Sequence, residues 1–363
     1  MTDATIEVLD VATYQVPTDR PESDGTLEWD HTDVVVVHVR AGKAAGLGWS
    51  YAPRAAARLI EDVLKPVLLG RSLFDIRGSF LAMVQRLRNA GVPGAGMMAI
   101  SAVDVALWDL KARWLGLPLV DLFGKVRSDV PIYGSGGFTS YTEHQLCEQL
   151  AGWATRGIRR VKMKVGREPA RDPERVARAR EAVGPAVELF VDANGAYSRK
   201  QALALAQRFS ELGVSWFEEP RPSSDLAGLR ALRRRAPAGM DIAAGEYGDT
   251  AGYFRHMLEA DAVDCLQADL TRCGGYSGLL QVAALCEAFE LPLSAHCAPQ
   301  LHAHIGCALA SLRHVEYFHD HVRIAGLLFD GALPAEDGRL RPDRSRPGHG
   351  MALKSADAAR YRS

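Results

Sequence analysis

Seven ionisable side chains recur through the second half of the chain at intervals of 20 to 28 residues: Lys164, Asp192, Glu218, Glu246, Asp269, His296 and Glu316. Each lies in or at the end of a short β-rich run, and each interval is about one strand plus one helix long. Three consecutive members, Asp192, Glu218 and Glu246, are carboxylates. Brought together unpaired, they would repel one another and raise their pKa values. A divalent cation resolves that conflict. Oxygen ligands with no Cys or His among them suit Mg²⁺ above Ca²⁺ or Zn²⁺.

Candidate bases flank the trio. Lys164 lies one run earlier, in Lys162-Met163-Lys164, where strand alternation puts both lysines on one face. Two close ammonium groups beside a metal are expected to depress the Lys164 pKa toward that of a usable base. His296 lies two runs after the trio, and Asp269, between them, is placed to hydrogen-bond one ring nitrogen and fix the tautomer. Removing the proton α to a carboxylate builds a second negative charge, as an enediolate. A metal and cationic donors aimed at that charge are what the step needs.

These side chains need a scaffold that gathers them. The β-rich runs span 131–136, 160–165, 188–194, 216–220, 242–246, 265–270, 292–297 and 314–318, each followed by a segment long enough for a helix. Eight alternating units predict an α/β fold, a closed TIM-type (β/α) barrel over residues 127–326, with the ionisable residues at its C-terminal mouth. Residues 1–126 have a different texture. Thr5–Gln15 and Asp33–Val39 predict antiparallel strands, and Ala52–Leu69, Leu73–Ala90 and Ala99–Leu115 predict helices, together an α+β capping domain. Between the two strands, residues 16–32 are rich in Pro, Asp, Ser and Gly and predict a long loop over the site, a substrate lid. Residues 327–363 carry many Gly, Pro and Arg and are expected to fold back onto the cap.

Composition excludes several classes. The 363 residues suit a barrel plus a smaller domain, and 47% hydrophobic residues can fill a core. A formal net charge of −1 gives no broad field for nucleic acid or an acidic membrane. The arginines between Arg230 and Arg235 read as the solvated face of a helix. The six cysteines form no CxxC pair and read as reduced thiols. The N-terminus carries acids where a secretory signal carries bases, and no run is long enough for a membrane helix, so a cytoplasmic protein is expected.

The ordered motifs Lys-Met-Lys, Val-Asp-Ala-Asn-Gly, Glu-Glu-Pro and Gly-Glu, after the helix at Ala99–Arg113 and Leu122-Phe123-Gly124, resemble the enolase superfamily, specifically its mandelate racemase subgroup, over nearly the whole chain. That subgroup's barrel is a modified (β/α) barrel of seven to eight units. The resemblance implies Asp192, Glu218 and Glu246 as Mg²⁺ ligands, Lys164 as one base and Asp269 with His296 as the dyad that marks the subgroup. Relatives of the cycloisomerase type carry lysine five residues before a Gly-Gly pair; here Asp269 precedes Gly274-Gly275. The resemblance also implies that Glu316, in protonated form, bonds the substrate carboxylate and that Lys162 and Asn194 are accessory substrate-binding positions. It further implies a homo-oligomer, from dimer to octamer. Lys125 departs from the pattern, standing where many members have a second Gly.

Two reactions fit such a pair of bases. Dehydration of an aldonic or aldaric acid to a 2-keto-3-deoxy acid is the favoured expectation, since the polar segment 16–32 suits a polyhydroxylated substrate. Racemisation or epimerisation of a 2-hydroxy acid is the alternative. A non-catalytic scaffold would be expected to have lost a ligand or base, and a metal-dependent hydrolase would call for His-rich ligands. Glu219 is expected to pair away from the trio. His302, His304, His314, His319 and His321 read mostly as helix-start and loop residues. Trp49, Tyr51 and Tyr133 are candidates for the pocket wall, with core packing the expected role for at least one.

Overall fold

The computed structural model describes residues 4–363. The chain opens with three antiparallel strands, β1 (Val8–Ser23), β2 (Glu28–Ala41) and β3 (Ala44–Ser50). In β2, Val34 to Val37 are all fully buried, with Val34 and Val36 in one hydrophobic core and Val35 and Val37 in another. An unbroken β-branched run, in place of alternation, is what a strand covered on both faces requires. Helices Arg54–Leu59, Ile76–Leu87 and Ala95–Trp114 line one of those cores; the first continues through a π-helical turn, Ile60–Leu64, into Lys65–Leu68.

Eight strands then form the barrel: β4 (Val130–Gly136), β5 (Arg160–Lys164), β6 (Glu188–Asp192), β7 (Val214–Glu218), β8 (Asp241–Ala244), β9 (Cys265–Ala268), β10 (Leu293–Ala295) and β11 (Leu312–Phe318). Neighbours pair in chain order, all parallel, and β11 closes on β4. Tyr133, Phe190, Trp216, Ala243 and Cys265 form a separate buried cluster contributed by β4, β6, β7, β8 and β9. Phe190 stacks on Trp216 with centroids 5.3 Å apart. The register sets Lys164 level with Asp192, and Asp192 level with Glu218. Among the described residues no helix is long and apolar enough to cross a membrane.

Residues 16–32 differ from the expected loop. They continue β1 and β2 as one hairpin, with a register shift between Pro17 and Glu22 and a tight turn after Ser23. Asp24 Oδ1 caps that turn, accepting from the backbone N–H of Thr26 (2.6 Å) and Leu27 (2.7 Å). The turn-forming composition therefore serves four residues and not seventeen, because anchors on the barrel support the rest. Thr139 N donates to Ser23 O, Ser140 Oγ to Pro21 O, and Arg167 pairs with Glu28. At the tip, a Cβ on Gly25 would lie 2.6 Å from Ala193 O and 2.7 Å from Val165 O, so only glycine lets the hairpin sit this low on the barrel.

Beyond Leu328 the chain returns to the cap. Phe329 stacks on Trp49 (4.4 Å), His349 Nε2 donates to Leu47 O (2.8 Å), and Arg113 donates to Met351 O (2.7 Å). Asp109, fully buried, accepts from Leu47 N and His349 N, both at 2.9 Å, which ties β3, the helix and the tail together.

Cap helix and sheet meet across bare glycine. A Cβ on Gly48 would lie 2.3 Å from Ala102 O and 2.4 Å from Ala106 N. Gly48→Ala is therefore expected to lower stability by about 1–3 kcal/mol, as overpacking does. Urea denaturation tests this; an unchanged midpoint would show that the contact yields without cost.

Candidate active site

The barrel gathers all nine residues singled out from the sequence at its C-terminal mouth. Asp192, Glu218 and Glu246 each offer a carboxylate oxygen within 4.8 Å of the other two, and all three are buried. Asp192 and Glu218 end their strands; Glu246 follows β8 after Gly245, whose φ of 130° and lack of Cβ let the chain pass the Gln267 carbonyl. Lys164 Nζ donates to Asp192 Oδ2 at 2.5 Å. Lys162, fully buried, pairs with Glu218, with Glu316 at 2.8 Å and with Asp192 at 3.5 Å. Asn194, with φ 46°, donates its backbone N–H to Asp192 Oδ1 (2.9 Å).

On the opposite side His296 Nδ1 donates to Asp269 Oδ2 at 2.9 Å. Asp269 is itself fixed, since Oδ1 accepts from Thr271 N (2.7 Å) and Thr271 Oγ1 (2.8 Å). His296 Nε2 is thereby turned to the trio, 3.3 Å from Glu246 Oε2. Burial lowers the His296 pKa, but the carboxylates of Glu246, Glu316 and Asp269 outweigh it and hold it well above the usual value. The adjacent Cys297 thiol is pushed up to about 12 by burial, so it carries no charge at neutral pH and contributes nothing to that rise. Asp269 is held at about 2: burial raises it, and the bond to His296 more than offsets this.

Two ionisation states follow from the protein's own charges. Against the carboxylates of the trio the Lys164 pKa is raised. Burial lowers it, and Lys162 lowers it further, but Asp192, Glu246 and Glu218 together prevail. Glu316 has a lowered pKa, because burial is outweighed by Lys162, His296 and Lys164. Its oxygens accept from Ser135 Oγ (2.5 Å), Lys162 and Cys297 N (3.0 Å). Glu219 does not pair elsewhere. It is buried at φ 37°, Oε1 finds no partner among the described residues, and burial followed by Glu246 and Asp192 raises its pKa well above normal.

A cavity of about 550 Å³ opens over these groups, within the usual range for small-molecule sites. Its wall includes Trp29, Thr32 and Asp33 of the hairpin with Tyr51, Arg272, Cys297 and His321. Of the three aromatic candidates only Tyr51 reaches it, stacked on His321 at 3.3 Å; Trp49 and Tyr133 are buried in packing. The sequence reading undervalued two histidines. His321 Nδ1 accepts from Ala298 N (3.1 Å), and His302 donates Nδ1 to Cys297 O (2.8 Å) while Nε2 accepts from Leu270 N (3.1 Å). His302 therefore links the loops carrying Asp269 and His296. Its i,i+2 spacing from His304 on one helix held no hint of this. Arg272, three residues past Asp269, lies 3.7 Å from Glu246 and 3.8 Å from Asp269.

Because Lys162 is the buried counter-charge to Glu218 and Glu316, Lys162→Met is expected to destabilise the fold by about 3–5 kcal/mol in urea titrations with chelator present, the cost of leaving buried carboxylates unpaired. A loss below 1 kcal/mol would mean that water already neutralises them.

Comparison with known proteins bears on the whole chain. Residues 8–124 match the family model for the mandelate racemase / muconate lactonizing enzyme N-terminal domain, and residues 145–358 the enolase C-terminal domain-like model. A mandelate racemase/muconate lactonizing enzyme-like protein from Rubrobacter xylanophilus is 54% identical, with TM-score 0.97 over 99% of this chain and 100% of that one. The 3,6-anhydro-alpha-L-galactonate cycloisomerase of Streptomyces coelicolor is 34% identical over 316 residues, 85% of this chain and 86% of that protein. L-talarate/galactarate dehydratase of Salmonella typhimurium is 30% identical over 334 residues, 90% of this chain and 81% of that one. Its structure liganded with Mg and L-lyxarohydroxamate superposes with TM-score 0.90 at 28% identity, over 99% of this chain and 93% of that one. The chain belongs to the mandelate racemase/muconate lactonizing enzyme family of the enolase superfamily.

Proposed function

We propose that this protein is a Mg²⁺-dependent dehydratase of polyhydroxylated carboxylic acids, with Asp192, Glu218 and Glu246 as metal ligands. The observation that carries the reading is that Lys164 and the His296–Asp269 dyad flank one carboxylate trio from opposite sides. The trio fits a hard divalent cation: its donors are all oxygen, buried, and within 4.8 Å of one another. A bound Mg²⁺ supplies positive charge at the substrate carboxylate and takes up the charge of Asp192 that otherwise keeps Lys164 protonated. Relatives named as dehydratases of talarate and galactarate, and one liganded with Mg, support both points.

The protein's own groups then divide the work. Lys164 Nζ, in its free-base form, takes the α-proton. The electron pair of that C–H bond first moves onto the substrate carboxylate, giving an enediolate. In a second step it returns as the α–β double bond while the bond from the β-carbon to its hydroxyl breaks. His296 Nε2 gives its proton to the departing oxygen, which leaves as water, and the enol tautomerises to the 2-keto-3-deoxy acid. Between turnovers Lys164 returns its proton to solvent and His296 regains one, so the cycle is proton-neutral. Asp269 and Thr271 keep the Nδ1–H tautomer, which leaves Nε2 as the atom that faces substrate. Lys162 and Asn194 support the substrate end of the trio, and Glu316 fixes the backbone behind His296 through Cys297 N.

Chelation is expected to abolish turnover and Mg²⁺ to restore it; full activity in excess chelator would remove the metal from the reading. Lys164→Ala and His296→Asn should each lower kcat by about 10²–10⁴-fold. In D₂O, His296→Asn should still exchange the α-proton while losing water release, since only the second step needs the imidazolium. Retention of both steps in both variants would sink the two-group scheme. Return of the substrate with inverted α-configuration and no keto acid would instead establish racemisation.

A further inference from the structure

The cavity is asymmetric in charge. Its barrel side gathers five carboxylates, Asp192, Glu218, Glu246, Asp269 and Glu316, against Lys162, Lys164, Arg272 and His296. A divalent cation on the trio leaves at most one uncompensated positive charge there, enough for a single substrate carboxylate. The hairpin side continues in the other direction. Its ionisable lining residues are Asp24, His31 and Asp33, with no Lys or Arg among them, and Asp320 stands buried behind them. Cationic side chains around that wall face other groups: His31 with Asp30 at 2.6 Å, Arg323 with Asp320 at 2.9 Å, Arg167 with Glu28, and Arg20 over the Tyr141 ring at 6.0 Å. Arg272, which does line the cavity, is committed to Glu246 and Asp269 and lies over the Tyr247 ring at 5.2 Å.

We infer that the site selects monocarboxylic polyhydroxy acids, the aldonate type, over dicarboxylic aldarates of the same configuration. This rests on the dehydratase reading and sharpens it to one substrate class. An aldonate places its carboxylate at the barrel side and presents hydroxyls to the hairpin. Those hydroxyls donate to Asp33 and Thr32, as neutral polar groups do at little cost. An aldarate brings a second anion to a wall lined by Asp24 and Asp33, with no Lys or Arg on that side of the lining. Two like charges about 8 Å apart at an effective dielectric constant near 20 lose roughly 30-fold in affinity.

The test compares C5 and C6 aldonates with the aldarates of matching configuration, in Mg²⁺ at low ionic strength. Two readouts are used: kcat/KM for the wild-type protein, and calorimetric Kd for the Lys164→Ala protein, which should bind without turnover. The aldonate is expected to lead by at least about 30-fold in each. Raising salt to 0.5 M should narrow the ratio, since screening weakens charge repulsion between groups near the solvent. Asp33→Asn should narrow it as well, a change in ratio that mere loss of packing would not cause. An aldarate bound or converted as well as its aldonate overturns the inference and leaves dehydration standing. Aldonate-selective binding with no conversion of any acid overturns dehydration and leaves the inference standing. Binding of neither series overturns both.

Discussion

The structure is organised around an electrostatic conflict: carboxylates from four consecutive barrel strands or their ends converge in a mouth that excludes most water, with a fifth from β11 behind them. Such a cluster cannot exist without positive charge of comparable density. β5 supplies part of it, because alternation along Lys162-Met163-Lys164 sends two ammonium groups to the same face, with Lys164 level with Asp192 and Glu218 across the parallel register and Lys162 two residues below. The lysines therefore have unequal roles. Lys162 has no solvent exposure and three carboxylate partners, which makes it a fixed counter-ion. Lys164 keeps an edge on the cavity and one close partner, which makes it a group whose proton can move.

The same reasoning explains the strained backbone around the mouth. Asn194, Glu219, Cys297 and Ala298 all have positive φ without being glycine. Each such residue costs of order 1–3 kcal/mol and persists only where its surroundings over-determine it. At Cys297 and Ala298 the determinants are visible. Cys297 N donates to Glu316, Cys297 O accepts from His302, and Ala298 N donates to His321. The polar backbone of that turn is held by side chains from three other elements. Its conformation aims His296 inward, so neighbours of the imidazole carry the strain that positions it.

What the sequence disclosed and what it withheld follow from this. The barrel and its ionisable residues were legible because each βα unit repeats at a regular length and ends on a charged side chain, so one-dimensional spacing maps onto one ring. The cap's valine run was legible as a strand, though its two buried faces were not, since burial on the second face depends on the distant barrel and tail. The hairpin was missed as a strand because Pro, Asp and Gly locally favour turns, and the bonds that overrule them come from residues 139, 140 and 167. Side-chain ionisation at Lys164 and Glu316 was not legible for a similar reason. Motif order shows which groups meet, but the sign of a pKa shift depends on how many opposite charges lie within a few ångströms. Glu219, His302, His321 and Arg272 carry no spacing signal, and their roles come from loop conformation alone.

Selectivity and chemistry are therefore assigned to parts of the molecule that differ in how they can vary. Lys164 and His296, the groups proposed to move protons, stand at strand ends locked by register, where a shift of one residue would turn every side chain to the wrong face. The hairpin that completes the cavity is held by a few anchors and by the absence of a Cβ at Gly25, and its pocket-lining residues lie on a ribbon open to solvent on its other side. Substitutions at Trp29, Thr32 or Asp33 can alter what the cavity accepts without disturbing the pairing of Lys164, His296 and the carboxylate trio. A fold that keeps proton abstraction α to a carboxylate constant while the substrate changes needs that separation, and here it coincides with the junction between cap and barrel.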